Sequence, residues 1–392
     1  GQMNLRGGRN AEIKSKLKDI RDYVLLRIWF PFIYQVGKWN SFDENKVILV
    51  ESNGANLGVS FHPLVDKLYG NKKLKIKEIY LHKEENKKCK YFFRSTRLVF
   101  ESASSKYIFL SDALNLYACI SVRTESIYTQ LWHGCGAFKR FGKAVPNVGK
   151  EKYSNYAYNT WLTISSPEVR WAYEEACGLP ANKIISTGIS RTDRFFDLKF
   201  RKDAYEHLER IVPRCSERKI ILYAPTFRGD PSNAKSPKLL SWNLLQKQLQ
   251  DNYIIIIKQH PHIKERLSIP EEYSDFVFDL SHKMEIDELM CVSELCITDY
   301  SSLIFEYSLF ERPLIFYAYD LEQYYDEQGF FYEYDKLIPG PICRTEQEIL
   351  EQILNSSHYD KTSIRNFKNK FMSSCDGQAT QRILKLVFRE SW

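Results

Sequence analysis

The chain contains no cysteine pair spaced as CxxC. Its nine cysteines (Cys89, Cys119, Cys135, Cys177, Cys215, Cys291, Cys296, Cys343 and Cys375) are scattered and odd in number. That pattern excludes a zinc ribbon and the disulfide framework of a small secreted domain. Several lie inside apolar runs, such as Leu295-Cys296-Ile297, and read as reduced core residues of a cytoplasmic protein. No signal peptide with a cleavage site is visible. No run is both long and apolar enough to span a bilayer, and the longest candidate, residues 23–34, is interrupted by Arg27 and Pro31. Zinc-finger spacing, RNP-type aromatic motifs and long Lys/Arg runs are missing, which argues against a nucleic-acid partner. No Asp-x-Asp pair occurs, so a metal clamp for a diphosphate is not evident. No internal repeat or low-complexity tract competes with a globular reading.

What is present points to two folded domains. With 392 residues, of which 44% are hydrophobic, the chain can bury two cores of ordinary size. A net charge of +7 favours an anionic substrate or an anionic surface. The first residues hold Arg6, Arg9, Lys14, Lys16, Lys18 and Arg21, followed by Trp29, Phe30, Phe32 and Tyr34. Cations meet anionic headgroups, and aromatics sit at the acyl boundary. Residues 1–44 are therefore expected to form an amphipathic, membrane-associating segment. The competing reading is a helix packed on the protein's own core.

From residue 45 the pattern becomes α/β. Strands are expected at 46–50, 76–81, 97–100, 107–110, 118–122, 161–164 and 183–186, with a helix at 166–177 ending before Gly178. A charged linker helix is expected at 198–216. A second series follows, with strands at 219–223, 253–258, 276–278, 295–298 and 314–316, and closing helices near 345–354, 363–371 and 378–388. Alternation of this length implies parallel sheets covered on both faces. The boundaries expected are 45–200 for one domain and 201–392 for the next.

In open parallel sheets, ligands bind beyond the carboxyl ends of the strands. Thr129-Gln130-Leu131-Trp132-His133-Gly134-Cys135-Gly136 puts His133 between a strand and a glycine-punctuated turn, with Lys139, Arg140 and Lys143 just downstream. An imidazole there suits a base that deprotonates a hydroxyl attacking an anionic centre. A purely structural Trp-His-Gly turn is the alternative. Lys139 and Arg140 either attract an anionic acceptor or form a solvated face.

The second series carries its own set. Arg228 follows 219–223, His260 follows 253–258, and Ser301 and Ser302 follow 295–298 and open a helix expected at 303–310. Serines at a helix start are common caps, but they also offer hydroxyls and free N–H groups to phosphate. Arg228, His260 and this serine turn converge on one sheet edge. They suit metal-independent transfer from a nucleotide-activated donor. Glu306 lies about one turn into that helix, where it either accepts hydrogen bonds from a ribose or polyol diol or is a solvated residue.

At this point the chain resembles the CDP-glycerol glycerophosphotransferases, the teichoic-acid primases and polymerases. The matching motifs are Gln130-Leu131-Trp132-His133-Gly134-Cys135-Gly136-Ala137-Phe138-Lys139, Thr187-Gly188-Ile189-Ser190-Arg191-Thr192-Asp193, Tyr223-Ala224-Pro225-Thr226-Phe227-Arg228, Lys258-Gln259-His260-Pro261 and Thr298-Asp299-Tyr300-Ser301-Ser302 with Glu306. They run in the family's order over roughly residues 45–375.

The resemblance implies a GT-B architecture, two Rossmann-like domains facing a central cleft, with a peripheral membrane helix at the N-terminus on the cytoplasmic face of the membrane. It implies His133 as the catalytic histidine, and His260, Ser301 and Ser302 as donor-phosphate contacts. Glu306 stands where the family often carries Asp. By resemblance the donor is CDP-glycerol or CDP-ribitol, no cofactor or metal is used, and the acceptor is a hydroxyl of a lipid-linked (undecaprenyl diphosphate) chain, with CMP released. The Trp-His-Gly-Cys-Gly-Ala-Phe-Lys version is more similar to wall teichoic acid enzymes, ribitol-phosphate transferases included. A GT-B glycosyltransferase using a nucleotide sugar, or a non-catalytic scaffold of the same fold, are the competing readings.

Overall fold

The computed structural model describes residues 2–146 and 152–392, with side chains outside residues 2–6 and 325–328; Arg6 falls among the side chains not described. Two six-stranded sheets, both wholly parallel, organise the chain. The first is built from β1 (Asp43–Glu51), β2 (Lys75–Tyr80), β3 (Ser105–Leu110), β4 (Ile127–Gln130), β5 (Trp161–Thr163) and β6 (Ile184–Ile185), in the order β2-β1-β3-β4-β5-β6. The second is built from β7 (Lys219–Ala224), β8 (Tyr253–Ile257), β9 (Val277–Asp279), β10 (Leu295–Thr298), β11 (Leu314–Tyr317) and β12 (Ile342–Cys343), in the order β12-β11-β10-β7-β8-β9. This is the two-sheet α/β, GT-B-like architecture expected. Strands such as Tyr-Ile-Ile-Ile-Ile in β8 are apolar throughout because both faces are covered by helices.

Each sheet has one place where the strand order reverses. In the first it lies between β1 and β3, and in the second between β7 and β10. Crevices at such points receive ligands. Asp112 follows β3, and Thr226 and Ser301 follow β7 and β10. The two sheets are joined by one large core in which Phe138 and Phe141 of the first half meet Phe305, Phe330, Phe331 and Tyr334 of the second.

Two expected strands are absent. Residues 97–100 belong to the helix Lys88–Ser102, where Ser95, Leu98, Val99 and Ser102 are buried along one helical face. A short apolar run does not distinguish the two periods by itself. Residues 118–122 form consecutive turns closed by Ala118 N–H to Asn115 O and Ile120 N–H to Tyr117 O. No sheet edge is open to them, since β3 pairs directly with β4.

The 201–392 boundary needs one correction. The helix Ala379–Phe388 leaves the second half and lies on the first sheet, where Ile383, Leu384, Val387 and Phe388 pack with Val47, Leu49 and Phe109. Tyr107 and Phe388 have ring centroids 4.3 Å apart. Asp193 caps this helix by accepting from Ala379 N–H and Thr380 N–H. The strongly one-sided helix finds its apolar partner on a sheet face that it covers together with Phe61, Leu64 and Leu68.

The N-terminal segment divides in two. The helix Gln2–Tyr23 runs through the π-wound turn Val24–Trp29 into the helix Phe30–Gly37. Leu26, Phe30 and Tyr34 are buried in the first domain's core, and Trp29 donates its indole N–H to Thr96. Those aromatics thus pack on the protein itself. Besides Tyr23 and Trp39, the exposed large apolar residues of this segment are Ile13, Leu17, Ile20, Val24, Ile28 and Phe32. Their three- and four-residue spacing draws one stripe along the helix. Among the described residues no helix is long and apolar enough to cross a membrane.

Candidate active site

His133 sits on the loop after β4. Trp132, just before it, has a left-handed backbone (φ 57°), an uncommon state for a bulky residue and one that clusters at functional sites. Several hydrogen bonds hold the loop, among them one from Tyr173 OH to Gly136 O at 3.1 Å. Ser60 Oγ donates to Trp132 O (2.7 Å), Arg191 Nη1 to His133 O (3.2 Å), and Gly136 N–H to Ser165 Oγ (2.9 Å). Gly136 has φ 63°, and a Cβ there would lie 2.3 Å from the Phe305 ring, so only glycine allows this loop to seat on the second half. The imidazole is 53% exposed and stacks on Trp132 with centroids 4.2 Å apart.

Asp112 completes a pair that the sequence motifs did not single out. Its Oδ1 lies 3.8 Å from His133 Nε2, an ion-pair distance. Burial pushes the Asp112 carboxyl up, but the His133 imidazole and the Ala113 N–H pull it down, and the net is below the ordinary carboxylate range. Asp112 stays ionised beside the imidazole. The available signal was positional, for Ser111-Asp112 directly follows β3 at the strand-order reversal.

Opposite lies a cleft of about 500 Å³, lined by Arg191, Thr226, Lys258, His260, Asp287, Ser301, Ser302 and Glu306 among others. It brings together His260, Ser301, Ser302 and Glu306. Burial, with His262 and Lys139 nearby, lowers His260 to about 4, so at neutral pH it offers a single N–H and no charge. Its Nδ1 accepts from His262 N–H, which leaves Nε2 as the donor. Ser301 Oγ accepts from Leu303 N–H at 3.3 Å. The helix that follows is Leu303–Ser308, shorter than the expected 303–310.

Arg228 is not in this group. Its guanidinium is engaged by Asp320 (2.8 Å) and Asp299 (3.2 Å), with Tyr300 and Tyr324 over its faces. Two carboxylates neutralise it, and it does not line the cleft. Lys139 and Arg140 are also misplaced by the expectation of a free acceptor-attracting surface. Arg140 donates to Phe330 O and pairs with Glu175. Lys139 is enclosed between the two halves, 5.1 Å from the Tyr324 ring, and burial lowers it to about 8. Both are drawn inward because residues 138–140 pair with 329–331 across the halves.

Glu306 is buried and paired through Oε1 with Arg191 at 3.2 Å. Its Oε2 accepts no hydrogen bond from any described residue. Burial raises its carboxyl, against the pull of Arg191. Among the described residues no group of three or more His, Cys, Asp or Glu side chains is arranged to hold a metal ion.

Residues 32–389 match the family model for CDP-glycerol:poly(glycerophosphate) glycerophosphotransferase. The chain belongs to this family. It is 32% identical over 376 residues to a teichoic acid poly(ribitol-phosphate) polymerase of Bacillus spizizenii, covering 92% of this chain but only 59% of that protein's length. To the teichoic acid glycerol-phosphate primase of Bacillus subtilis it is 30% identical, covering 79% of each. The solved structure of the wall teichoic acid polymerase TagF aligns over 97% of this chain and 98% of that one, with a TM-score of 0.73 at 21% identity. That likeness establishes the shared fold.

Proposed function

We propose that the chain transfers glycerol phosphate or ribitol phosphate from a CDP-polyol to a hydroxyl of a lipid-linked acceptor in teichoic acid synthesis, releasing CMP. One observation carries this reading. The His133 loop and the phosphate-suited cleft are linked through Arg191, which lines the cleft and whose one Nη1 reaches both His133 O and Glu306 Oε1. With Asp112 near Nε2, the imidazole keeps its proton there and presents Nδ1 as the base. The acceptor hydroxyl gives its proton to Nδ1 while its oxygen forms the new P–O bond. The bond from phosphorus to the CMP oxygen breaks, and the charge on that oxygen is met by the His260 N–H and the Ser301 and Ser302 hydroxyls. Glu306 Oε2 accepts a hydroxyl of the donor's polyol or ribose, satisfying an otherwise costly buried acceptor.

A donor panel tests the reading. CDP-glycerol, CDP-ribitol and a nucleotide sugar are each offered with a lipid-linked glycerol-phosphate acceptor, with and without EDTA, and CMP release and product length are followed. Turnover of a CDP-polyol, retained in EDTA, is expected. Turnover of the sugar nucleotide alone points to a glycosyltransferase, and no turnover at all points to a scaffold.

If Asp112 holds the tautomer, Asp112→Asn lowers kcat by about 10-fold or more and leaves donor affinity alone. A variant with unchanged kcat removes Asp112 from the reaction.

We further place the enzyme on the cytoplasmic face of the membrane, held by the stripe Ile13, Leu17, Ile20, Val24, Ile28 and Phe32 and by Lys14, Lys16, Lys18 and Arg21 beside it. Each cation near an anionic surface contributes only about 1 kcal/mol, so the apolar face must add to it. The double variant Leu17→Glu, Ile20→Glu alters two exposed positions and should fold normally. Its co-sedimentation with anionic vesicles should drop sharply, whereas full sedimentation would put the anchor elsewhere.

A further inference from the structure

No residue of the Thr187-Gly188-Ile189-Ser190-Arg191-Thr192-Asp193 segment takes a chemical step in the proposed transfer, yet its arginine occupies the junction of the two halves. Arg191 Nε donates to Asp287 Oδ2 at 3.1 Å, and its Nη2 also meets Asp287 Oδ1. Its Nη1 reaches Glu306 Oε1 and His133 O, both at 3.2 Å. Asp287 is buried and is held from the other side by Arg194 Nη1 at 2.9 Å. Arg191 is thus fixed by carboxylates on two helices of the second half, Ile286–Val292 and Leu303–Ser308, and spends one N–H on the main chain of the base loop. The bonds to Ser60, Ser165 and Tyr173 that also hold that loop join it to residues of the first half that have no carboxylate partner in the second. Arg191, bonded at once to His133 O and to Asp287 and Glu306, carries the position of the donor cleft to His133.

We propose that Arg191 is a positioning residue that sets His133 against the donor, so that the base is in register only when the Glu306–Arg191–Asp287 junction is formed. The proposal rests on His133 being the base. The fork of a guanidinium is what makes the arrangement possible. One planar group grips Asp287 with two donors and still aims a third at Glu306 and the loop. A lysine can keep the charge beside Asp287 but cannot reach all three partners. A displaced base of about 1 Å is enough to cost up to about 100-fold in rate. A side chain that merely stabilised the junction would, when replaced, lower the unfolding temperature and leave the kinetics of the folded molecules intact.

The test uses the full chain and compares Arg191→Lys with wild type. Turnover at saturating CDP-polyol is measured per folded molecule, donor affinity by calorimetry with CDP, and thermal unfolding in parallel. The expected result is a kcat lower by about 10- to 100-fold with CDP affinity within about threefold. A kcat within twofold of wild type overturns the proposal, and so does a loss of CDP affinity that accounts for the whole loss of activity. Should Arg191→Lys fail to fold, Asp287→Asn keeps the shape and loosens the grip on Arg191. It is expected to lower kcat several-fold at unchanged CDP affinity, and unchanged kcat again overturns the proposal. His133→Ala in the same assay separates the two questions, because near-wild-type turnover there removes the base itself, whatever the Arg191 variants show.

Discussion

Replacing His133 by alanine is expected to cut turnover by ~10²–10⁴-fold while donor binding stays near normal. The two halves of that statement have separate grounds. The imidazole proposed as the base has a carboxylate beside it, with Asp112 Oδ1 3.8 Å from Nε2. It is also half exposed and does not line the donor cleft, so its removal opens no cavity and withdraws no donor contact. What holds the loop is the main chain, through His133 O and Trp132 O, and alanine keeps both groups. The measurement is CMP release at saturating CDP-polyol together with calorimetric titration of CDP. A variant that binds CDP and turns over like wild type would remove His133 from the mechanism. One that neither binds CDP nor folds would mean that the Trp132–His133 stack supports the fold more than its exposure indicates.

Much of the architecture was legible because parallel sheets covered on both faces leave continuous apolar strands, and each such run ended where polar residues began. The run Ile254-Ile255-Ile256-Ile257 is the plainest case. Where the run was short, as at Leu98-Val99-Phe100, helix and strand share the same composition, and only the spacing of Ser95, Leu98, Val99 and Ser102 over a longer window reveals the buried face. Part of the cleft lining was legible in the same way: His260, Ser301 and Ser302 follow strands, and with Glu306 they line one cleft. Asp112 follows a strand too, but one carboxylate after a serine carries no motif, and its importance appears only when β3 is seen beside β4. The misplacement of Lys139 and Arg140 has another origin. Sequence treats a cation as solvent-facing by default, whereas here the pairing of residues 138–140 with 329–331 turns both toward the second half. The N-terminal aromatics show the converse error, since Phe30 and Tyr34 were offered to a membrane and are spent on the core.

Arg228 gives the second large effect, and it is one of stability. Arg228→Leu is expected to destabilise the fold by about 3–5 kcal/mol, the usual result of removing one partner from a buried ion pair. The residue was first expected to hold the donor's diphosphate, as a cation at a strand end. In place it satisfies Asp299 and Asp320, which are nearly buried, and its own side chain is only 17% exposed. Asp299 in turn fixes the turn after β10 by accepting from Thr226 N–H, Thr226 Oγ and Tyr300 N–H. Removing the guanidinium takes away the counter-charge that Asp299 and Asp320 share, leaving Lys139 as the cation near Asp299. Asp320→Asn in the same chain relieves one of those charges and should restore part of the lost stability, so the pair of substitutions should be clearly non-additive. Urea unfolding of the two single variants and the double variant measures this, with CDP affinity determined on the folded protein at low denaturant. The folded fraction of Arg228→Leu is expected to bind CDP within a few-fold of wild type. If instead the variant unfolds like wild type and loses CDP binding, Arg228 contacts the diphosphate after all, and the carboxylates must release it when the donor arrives.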